Sequence, residues 1–281
     1  MKEKLFTIPL NDAFRADDEC PFCYIERKLE RDAIDFVLGP GASYMESDIR
    51  EATDKAGFCR HHLQMMYEYG NSLGNALILK THICQLNKEL NAQLKNFKYS
   101  TNTANDKPHL NSDSCGQKTE RQRPTSLPFV RRLTGKNSGS SNPLSRFLEE
   151  KERSCYVCDY YNEAYERYMD TFFYLYKNDP AFTDAVKNSK GFCLHHLKEI
   201  INAAENRLNQ KQQQEFFPLL LSLTQTHMKR IEADISWFVD KFDYRNQNAD
   251  WKNSRDAIPR SIQKLAGGYP SDEPYRENKT V

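Results

Sequence analysis

The sequence has no long apolar run and almost no net charge. No stretch approaches the roughly 20 apolar residues that a membrane-spanning helix needs, and the opening MKEKLFTIPL contains no apolar segment of signal-peptide length. Lys and Arg total 40 against 39 Asp and Glu, which leaves a formal charge of +1. That balance argues against a surface built wholly for nucleic acid or an anionic membrane. We therefore expect a cytoplasmic protein with no membrane partner.

The motifs of common enzyme classes are also missing. The chain has no glycine-rich phosphate loop, no GxSxG nucleophile elbow and no HExxH motif. Its acidic residues are interspersed with Lys and Arg along helix faces, as on solvated surfaces. We assign no catalytic residue, and the sequence favours a protein that is not an enzyme.

Cysteine is the residue type that requires an explanation, because a reducing cytoplasm makes metal binding or thiol chemistry its first interpretation. Six of the eight cysteines lie in two matching patterns. Cys20–Cys23 and Cys155–Cys158 both read CxxC, and the segments at 57–63 and 191–197 both read GFCxHHL. The patterns are offset by 135 residues at CxxC and by 134 at GFCxHHL. One helical unit therefore occurs twice in the chain, which indicates an internal duplication.

The apolar pattern predicts an all-α fold. Ile25, Leu29, Ala33 and Phe36 recur at a spacing of three to four residues, as one face of a helix does. Glycine and proline divide the chain into helices, as at residues 39–41, and no alternating strand pattern of useful length is present.

Four segments follow from this reading. Residues 1–97 form a first helical metal-binding repeat, and residues 146–247 form a second. Residues 98–145 are polar, carry eight Lys or Arg against three Asp or Glu, and are expected to be a flexible basic linker. The linker could contact nucleic acid, but a solvated tether is favoured. Residues 248–281 are expected to provide a docking helix and a tail.

The repeated motifs supply the ligands of a structural zinc site. Zinc takes four ligands in a tetrahedron from Cys thiolate and His nitrogen. Helix positions three apart share a face, whereas positions two apart do not, so Cys59 pairs better with His62 than with His61. Within each copy, the CxxC and CxxH pairs are expected to converge. The two expected sets are Cys20, Cys23, Cys59, His62 and Cys155, Cys158, Cys193, His196.

Three other chemistries explain only part of this pattern. Simple burial of a thiol or a histidine in the core explains one motif position, but not eight Cys and His positions that recur at matching spacing in two copies. A redox dithiol needs no second Cys and His pair, and an iron–sulfur cluster more often has four Cys ligands. His61 and His195 remain alternative ligands to His62 and His196. Four protein ligands would close the coordination sphere, so the sequence predicts two structural zinc ions that fix the helices.

The remaining Cys and His residues carry no such signal. Cys84 is expected to be a small buried apolar residue, and Cys115 an exposed thiol in the linker. His82, His109 and His227 have no partners at chelating spacing.

The motifs also resemble those of a known family. CPFC at 20–23, the two GFCxHHL segments, IPLNDAF at 8–14, and KFDYRN at 241–246 followed by Trp251 and IPRSIQKLAG together resemble an uncharacterised bacterial family of unknown function. The resemblance implies a mostly helical, cytosolic bacterial protein with metal-ligand cysteines and no established activity. The linker is longer and more polar than such a fold needs.

Two functional interpretations remain open. The first is a zinc-stabilised helical scaffold without enzymatic activity, which binds an unidentified protein or, through the linker, nucleic acid. The alternative is a thiol- or metal-based redox sensor in which loss of one metal releases a pair of helices.

Overall fold

The computed structural model describes residues 3–97 and 142–268. These residues form α-helices, two short 3₁₀ turns and no strand, which confirms the all-α prediction. None of their helices combines the length and the apolar character needed to cross a membrane. The expected linker lies outside the described residues apart from 142–145. The helices are α1 (Glu3–Arg15), α2 (Pro21–Leu38), α3 (Ser47–Ala56), α4 (Arg60–Tyr69), α5 (Ser72–Asn96), α6 (Pro143–Arg153), α7 (Tyr156–Asn178), α8 (Pro180–Asn188), α9 (Leu194–Arg207), α10 (Gln210–Asp240) and α11 (Ala257–Ala266).

Proline, glycine and capping side chains set the helix ends. Pro21 begins α2, where its missing N–H costs nothing, and Gly39 ends the helix. Asp179 caps α8 by accepting a hydrogen bond from the backbone N–H of Ala181 at 3.0 Å. Gly70 has φ of +87° and separates α4 from α5.

The chain divides into two compact units. Among the described residues, the first comprises 3–43, 60–71 and 157–268, and the second comprises 44–59, 72–97 and 142–156. Each unit therefore combines chain segments from both copies of the motif.

Aromatic side chains form the core of the first unit. The ring of Phe172 is fully buried and contacts Phe22, Phe192 and Phe216, with ring centroids 5.6 to 6.3 Å apart. Phe22 belongs to α2, whereas the other three rings lie after residue 157 in the chain. Truncating such a buried ring to alanine costs about 3–5 kcal/mol, so these contacts fix the start of α2 against the second half of the chain.

In the second unit, α3 packs on α5, and α5 packs on α6. Lys151 of α6 forms an ion pair with Glu89 of α5, with Nζ and Oε2 2.6 Å apart. On α5, Nδ1 of His82 lies 2.9 Å from the backbone oxygen of Asp54.

The loop after α10 is organised by one buried lysine. Lys241 is 6 % exposed and donates hydrogen bonds to the backbone oxygens of Asn246, Gln247 and Ala249. Trp251 packs its ring on Phe238. The KFDYRN…W motif therefore encodes a loop that connects α10 to α11.

Candidate metal centre

Three cysteines and one histidine meet in the first unit at the beginnings of α2 and α9. They are Cys20, Cys23, Cys193 and His196, all buried, with ligand atoms within 4.8 Å of one another. The CxxC turn leads into α2, whereas Cys193 is the N-cap of α9 and its sulfur accepts a hydrogen bond from the backbone N–H of His196. The positive ends of two helices therefore face the thiols, and they stabilise negative charge on sulfur.

The separations match a tetrahedral zinc site. Zn–S bonds of about 2.3 Å and a Zn–N bond of about 2.05 Å give S···S edges of about 3.8 Å and S···N edges of about 3.6 Å. The sulfurs of Cys23 and Cys193 are 3.7 Å apart. Nδ1 of His196 lies 3.3 Å from the sulfur of Cys20, 3.4 Å from that of Cys23 and 3.1 Å from that of Cys193. Small shifts would admit an ion, so the donor set and its spacing fit zinc.

This grouping corrects the expected pairing. The CxxC of the first copy meets the CxxH of the second copy instead of Cys59 and His62. The physical reason is the packing of α2, because the ring of Phe22 lies 5.8 Å from the ring of His196 and within 6 Å of Phe172 and Phe192. These contacts place the start of α2 beside the start of α9.

The protonation of this group is strongly perturbed. Hydrogen bonds from Cys20 and Cys23 lower the pKa of the Cys193 thiol far below its usual range. Burial lowers the pKa of His196, but its hydrogen bonds to Cys193 and Cys20 outweigh burial and raise that pKa to about 12. Without a metal ion, a Cys193 thiolate is therefore favoured beside a protonated His196, as a buried pair of opposite charges.

The other nitrogen of His196 faces a carboxylate. Nε2 lies 3.1 Å from Oε1 of Glu26, and the hydroxyl of Tyr161 donates to the same oxygen. A carboxylate on the far side of a ligating imidazole fixes the orientation of the ring and raises its basicity. Glu26 therefore holds Nδ1 of His196 towards the three sulfurs.

The end of α11 covers the group. Gly267 has φ of +80°, and a Cβ at this position would lie 3.5 Å from the sulfur of Cys193 and 3.8 Å from that of Cys23. The buried Lys264 donates hydrogen bonds to the backbone oxygens of Glu19 and Lys190, at 2.5 and 2.6 Å. Burial lowers the pKa of Lys264 and outweighs the charges of Glu19 and Cys20, which raise it. Lys264 therefore ties the end of α11 to the backbone on either side of the cysteine set.

The other four motif residues also form close contacts. In the first unit, the sulfur of Cys158 lies 3.4 Å from Nδ1 of His62, and Nε2 of His62 lies 3.6 Å from Oε1 of Glu30. The imidazole of His62 therefore has a sulfur on one side and a carboxylate on the other, as His196 does. Burial raises the pKa of Glu30, but the adjacent His61 and His62 outweigh burial and lower that pKa to about 2.

In the second unit, the sulfurs of Cys59 and Cys155 lie within 4.8 Å of each other. The backbone explains this contact, because the N–H of Tyr156 donates to the oxygen of Gly57 at 2.9 Å. Gly57 has φ of +65°, a conformation that glycine adopts without strain.

The first histidine of each HH pair points away from the sulfurs. Nε2 of His61 lies 3.3 Å from Glu30, and Nε2 of His195 lies 3.1 Å from Glu199. Both rings are about half exposed. The geometry therefore favours His62 and His196 as ligands.

The residues outside the motifs are also accounted for. Cys84 is half-buried, so it is less enclosed than expected. Nδ1 of His227 accepts a hydrogen bond from Arg230 at 3.2 Å. Cys115 and His109 lie outside the described residues.

Sequence reasoning missed the residues that contact the candidate metal ligands. Glu26 follows Cys23 by three residues and so lies on the same face of α2, a signal that was available in the sequence. Tyr161 occupies the corresponding position after Cys158, at the same offset of 135 residues. Nothing in the sequence marks Lys264 or Gly267, because their roles depend on where α11 packs.

Comparison with known proteins gives a family without a function. A search of the curated proteins found no match, and a search of the solved structures found none. The model of a family of unknown function, DUF6062, matches residues 1–272 of the 281. The chain therefore belongs to the DUF6062 family.

Proposed function

We propose that this protein is a zinc-stabilised helical scaffold that holds two structural zinc ions and acts by binding a protein partner. The observation that carries the proposal is the buried set of three sulfurs and one imidazole nitrogen at the starts of α2 and α9. One ion is held by Cys20, Cys23, Cys193 and His196. The second ion is proposed at the remaining motif residues, of which Cys59 pairs with Cys155 in the second unit and Cys158 pairs with His62 in the first.

Zinc would act here through folding and not through catalysis. Four protein ligands leave no coordination position for water or substrate. Binding of a structural zinc provides about 10–16 kcal/mol in small zinc domains, whereas a whole domain is stable by only about 5–15 kcal/mol. The starts of α2 and α9 would therefore separate without the ion.

Exposed apolar side chains support the role as a binding protein. At the end of α10, Val239, Phe242 and Tyr244 are 64 %, 74 % and 79 % exposed. Exposed aromatic residues beside Arg245 are typical of surfaces that bind other proteins.

Metal analysis tests the proposal. Purified full-length protein should contain two zinc ions per chain and no iron. Removing the metal with a chelator should abolish much of the helical circular dichroism, and adding two equivalents of zinc should restore it. Unchanged circular dichroism in metal-free protein would refute the structural role.

One observation favours the alternative, a redox sensor. Cys59 and Cys158 are half-buried, whereas all ligands of the α2–α9 set are buried. Because oxidation follows thiolate exposure, Cys59 and Cys158 would react first. Dilute peroxide should then release one zinc reversibly and leave the other bound, whereas simultaneous release of both ions would count against a sensor.

A further inference from the structure

A polar groove of about 700 Å³ lies between α3 and α5 in the second unit. Each helix contributes a stripe of polar side chains at helical spacing. The stripes are Ser47, Arg50, Glu51, Asp54 and Lys55 on α3 and Thr81, Gln85 and Glu89 on α5. Of the described residues that line the groove, Met45 alone is apolar. The volume is that of a small-molecule pocket, and the lining suits a polar ligand.

Two charged side chains in this groove are not neutralised by a neighbour. Arg50 and Asp54 are one turn apart on α3, a spacing at which opposite charges commonly pair. In the described part of the chain, however, neither side chain takes part in an ion pair. Glu89 differs, because Lys151 pairs with it and Gln85 donates a hydrogen bond to it at 2.8 Å. The charges of Arg50 and Asp54 are therefore available to a ligand.

The same two side chains have incomplete hydrogen bonding. Nε of Arg50 and Oδ1 of Asp54 are buried, and neither atom has a hydrogen-bond partner. Among the described residues of the second unit, these are the only two side-chain atoms in this state. A buried donor or acceptor without a partner is costly, and a ligand that draws both side chains into the groove would supply the partners. The cavity and the missing partners are independent observations, and both point to this groove.

The charges in the groove balance, which decides the class of ligand. Glu51 and Lys55, also one turn apart on α3, add one charge of each sign to those of the first pair. The carboxylate of Glu89 is already compensated by Lys151. Such a groove has no excess charge that would attract a phosphate or a metal ion. It favours a ligand that has no net charge but carries one group of each sign.

We propose that the groove binds a free α-amino acid, whose α-carboxylate pairs with the guanidinium of Arg50 and whose α-ammonium pairs with the carboxylate of Asp54. A guanidinium fits a carboxylate through two parallel hydrogen bonds, and an ammonium group donates to carboxylate oxygens. Residues one turn apart on a helix have Cβ atoms about 5–6 Å apart, so one zwitterion can reach both side chains. Thr81 and Gln85 on the opposite wall favour an amino acid with a polar side chain.

Thermal-shift measurements on purified full-length protein with the common L-amino acids, followed by isothermal titration calorimetry of the strongest ligand, test the proposal. A polar amino acid should bind, and its amide and its N-acetyl derivative, which each lack one charge, should bind at least about tenfold more weakly. Arg50→Gln should remove the preference for the free carboxylate, and Asp54→Asn should remove the preference for the free ammonium. The matched controls are Arg153→Gln and Asp48→Asn, at exposed positions of α6 and α3 outside the groove, which should bind as the unaltered protein does.

The outcomes separate this site from the proposed function. Protein that binds no amino acid at millimolar concentration, or that binds the free amino acid and both derivatives equally, would overturn the site, and so would affinities that Arg50→Gln and Asp54→Asn leave unchanged. The comparison of derivatives uses unaltered protein, so it decides the question even where a variant unfolds. No groove residue is a motif Cys or His, so both variants should keep the zinc content of the unaltered protein, and a failed amino-acid site would leave the zinc proposal standing.

Discussion

The crossed pairing of the motifs makes a prediction about zinc stoichiometry in double variants. The first is Cys59→Ser with Cys155→Ser, which removes two sulfurs that lie within 4.8 Å of each other. The second is Cys155→Ser with Cys193→Ser, which removes two sulfurs from one copy of the motif. Both variants lose two of the six motif cysteines, so they differ only in how those cysteines are distributed.

The expected zinc content follows from the geometry. Nδ1 of His196 contacts Cys20, Cys23 and Cys193 at 3.1 to 3.4 Å, so that set loses no ligand in Cys59→Ser/Cys155→Ser. This variant should retain one zinc. Cys155→Ser/Cys193→Ser removes Cys193 from that set and Cys155 from the remaining motif residues, and should retain none. Each lost ion removes much of about 10–16 kcal/mol of binding free energy, so the second variant should also be far less stable.

The assay is metal analysis of purified protein, combined with chemical denaturation. Cys84→Ser, on α5 and outside both motifs, is the matched control and should retain two zinc ions. Pairing within each copy predicts the reverse order, with no zinc in the first variant and one in the second. That result would refute the crossed arrangement.

Two further predictions concern residues that the motifs do not contain. Gly57→Ala should lower the free energy of unfolding by more than the roughly 1–2 kcal/mol that a positive φ costs, because the added Cβ would lie 2.7 Å from the ring of His82. Gly267→Ala should cost only that φ penalty and retain both zinc ions, and Gly41→Ala, with open space around it, is the control. Equal losses for Gly57→Ala and Gly267→Ala in chemical denaturation would contradict this. Lys264→Met should lower the free energy of unfolding by roughly 1–3 kcal/mol in the same assay, because the backbone oxygens of Glu19 and Lys190 lose their buried donor. Lys229→Met on the surface of α10 is the control and should change little. Equal stability of the two variants would show that the buried hydrogen bonds contribute nothing.

The sequence predicted the helices well because their signals are local. Pro21, Gly39, Gly57 and Asp179 set helix ends through backbone geometry and capping, which depend on a few neighbouring residues. The spacing of three residues between Cys193 and His196 likewise determines that both lie on one face of α9, and the structure brings their ligand atoms to 3.1 Å.

The partner of each pair could not be predicted in this way. The spacing within CxxC or CxxH says nothing about which other pair it meets, since this depends on helices that are distant in sequence. The sequence predicts that the CxxC and CxxH pairs of each copy meet within that copy, as segments close in the chain usually pack together. The contacts of Phe22 with Phe172 and Phe192 decide otherwise, and no local pattern marks them.

If the first set of ligands joins residues 20–23 to residues 193–196, a single copy of the motif cannot fold by itself. In residues 1–97 alone, Phe22 would lose Tyr165, Phe172 and Phe192, whose ring centroids lie 5.6 to 5.9 Å from its own. Burial of one phenylalanine contributes roughly 1.5–3 kcal/mol, and the site would also lose Cys193 and His196.

The fragment 1–97 should therefore show little helical circular dichroism and bind zinc weakly, although it contains three motif cysteines and a CxxH histidine. Mixing it with the fragment 142–281 should restore helicity and tight zinc binding, because the crossed ligand set then becomes complete. A fragment 1–97 that folds with one tightly bound zinc would mean that Cys20, Cys23, Cys59 and His62 suffice, and the packing argument for α2 would be wrong.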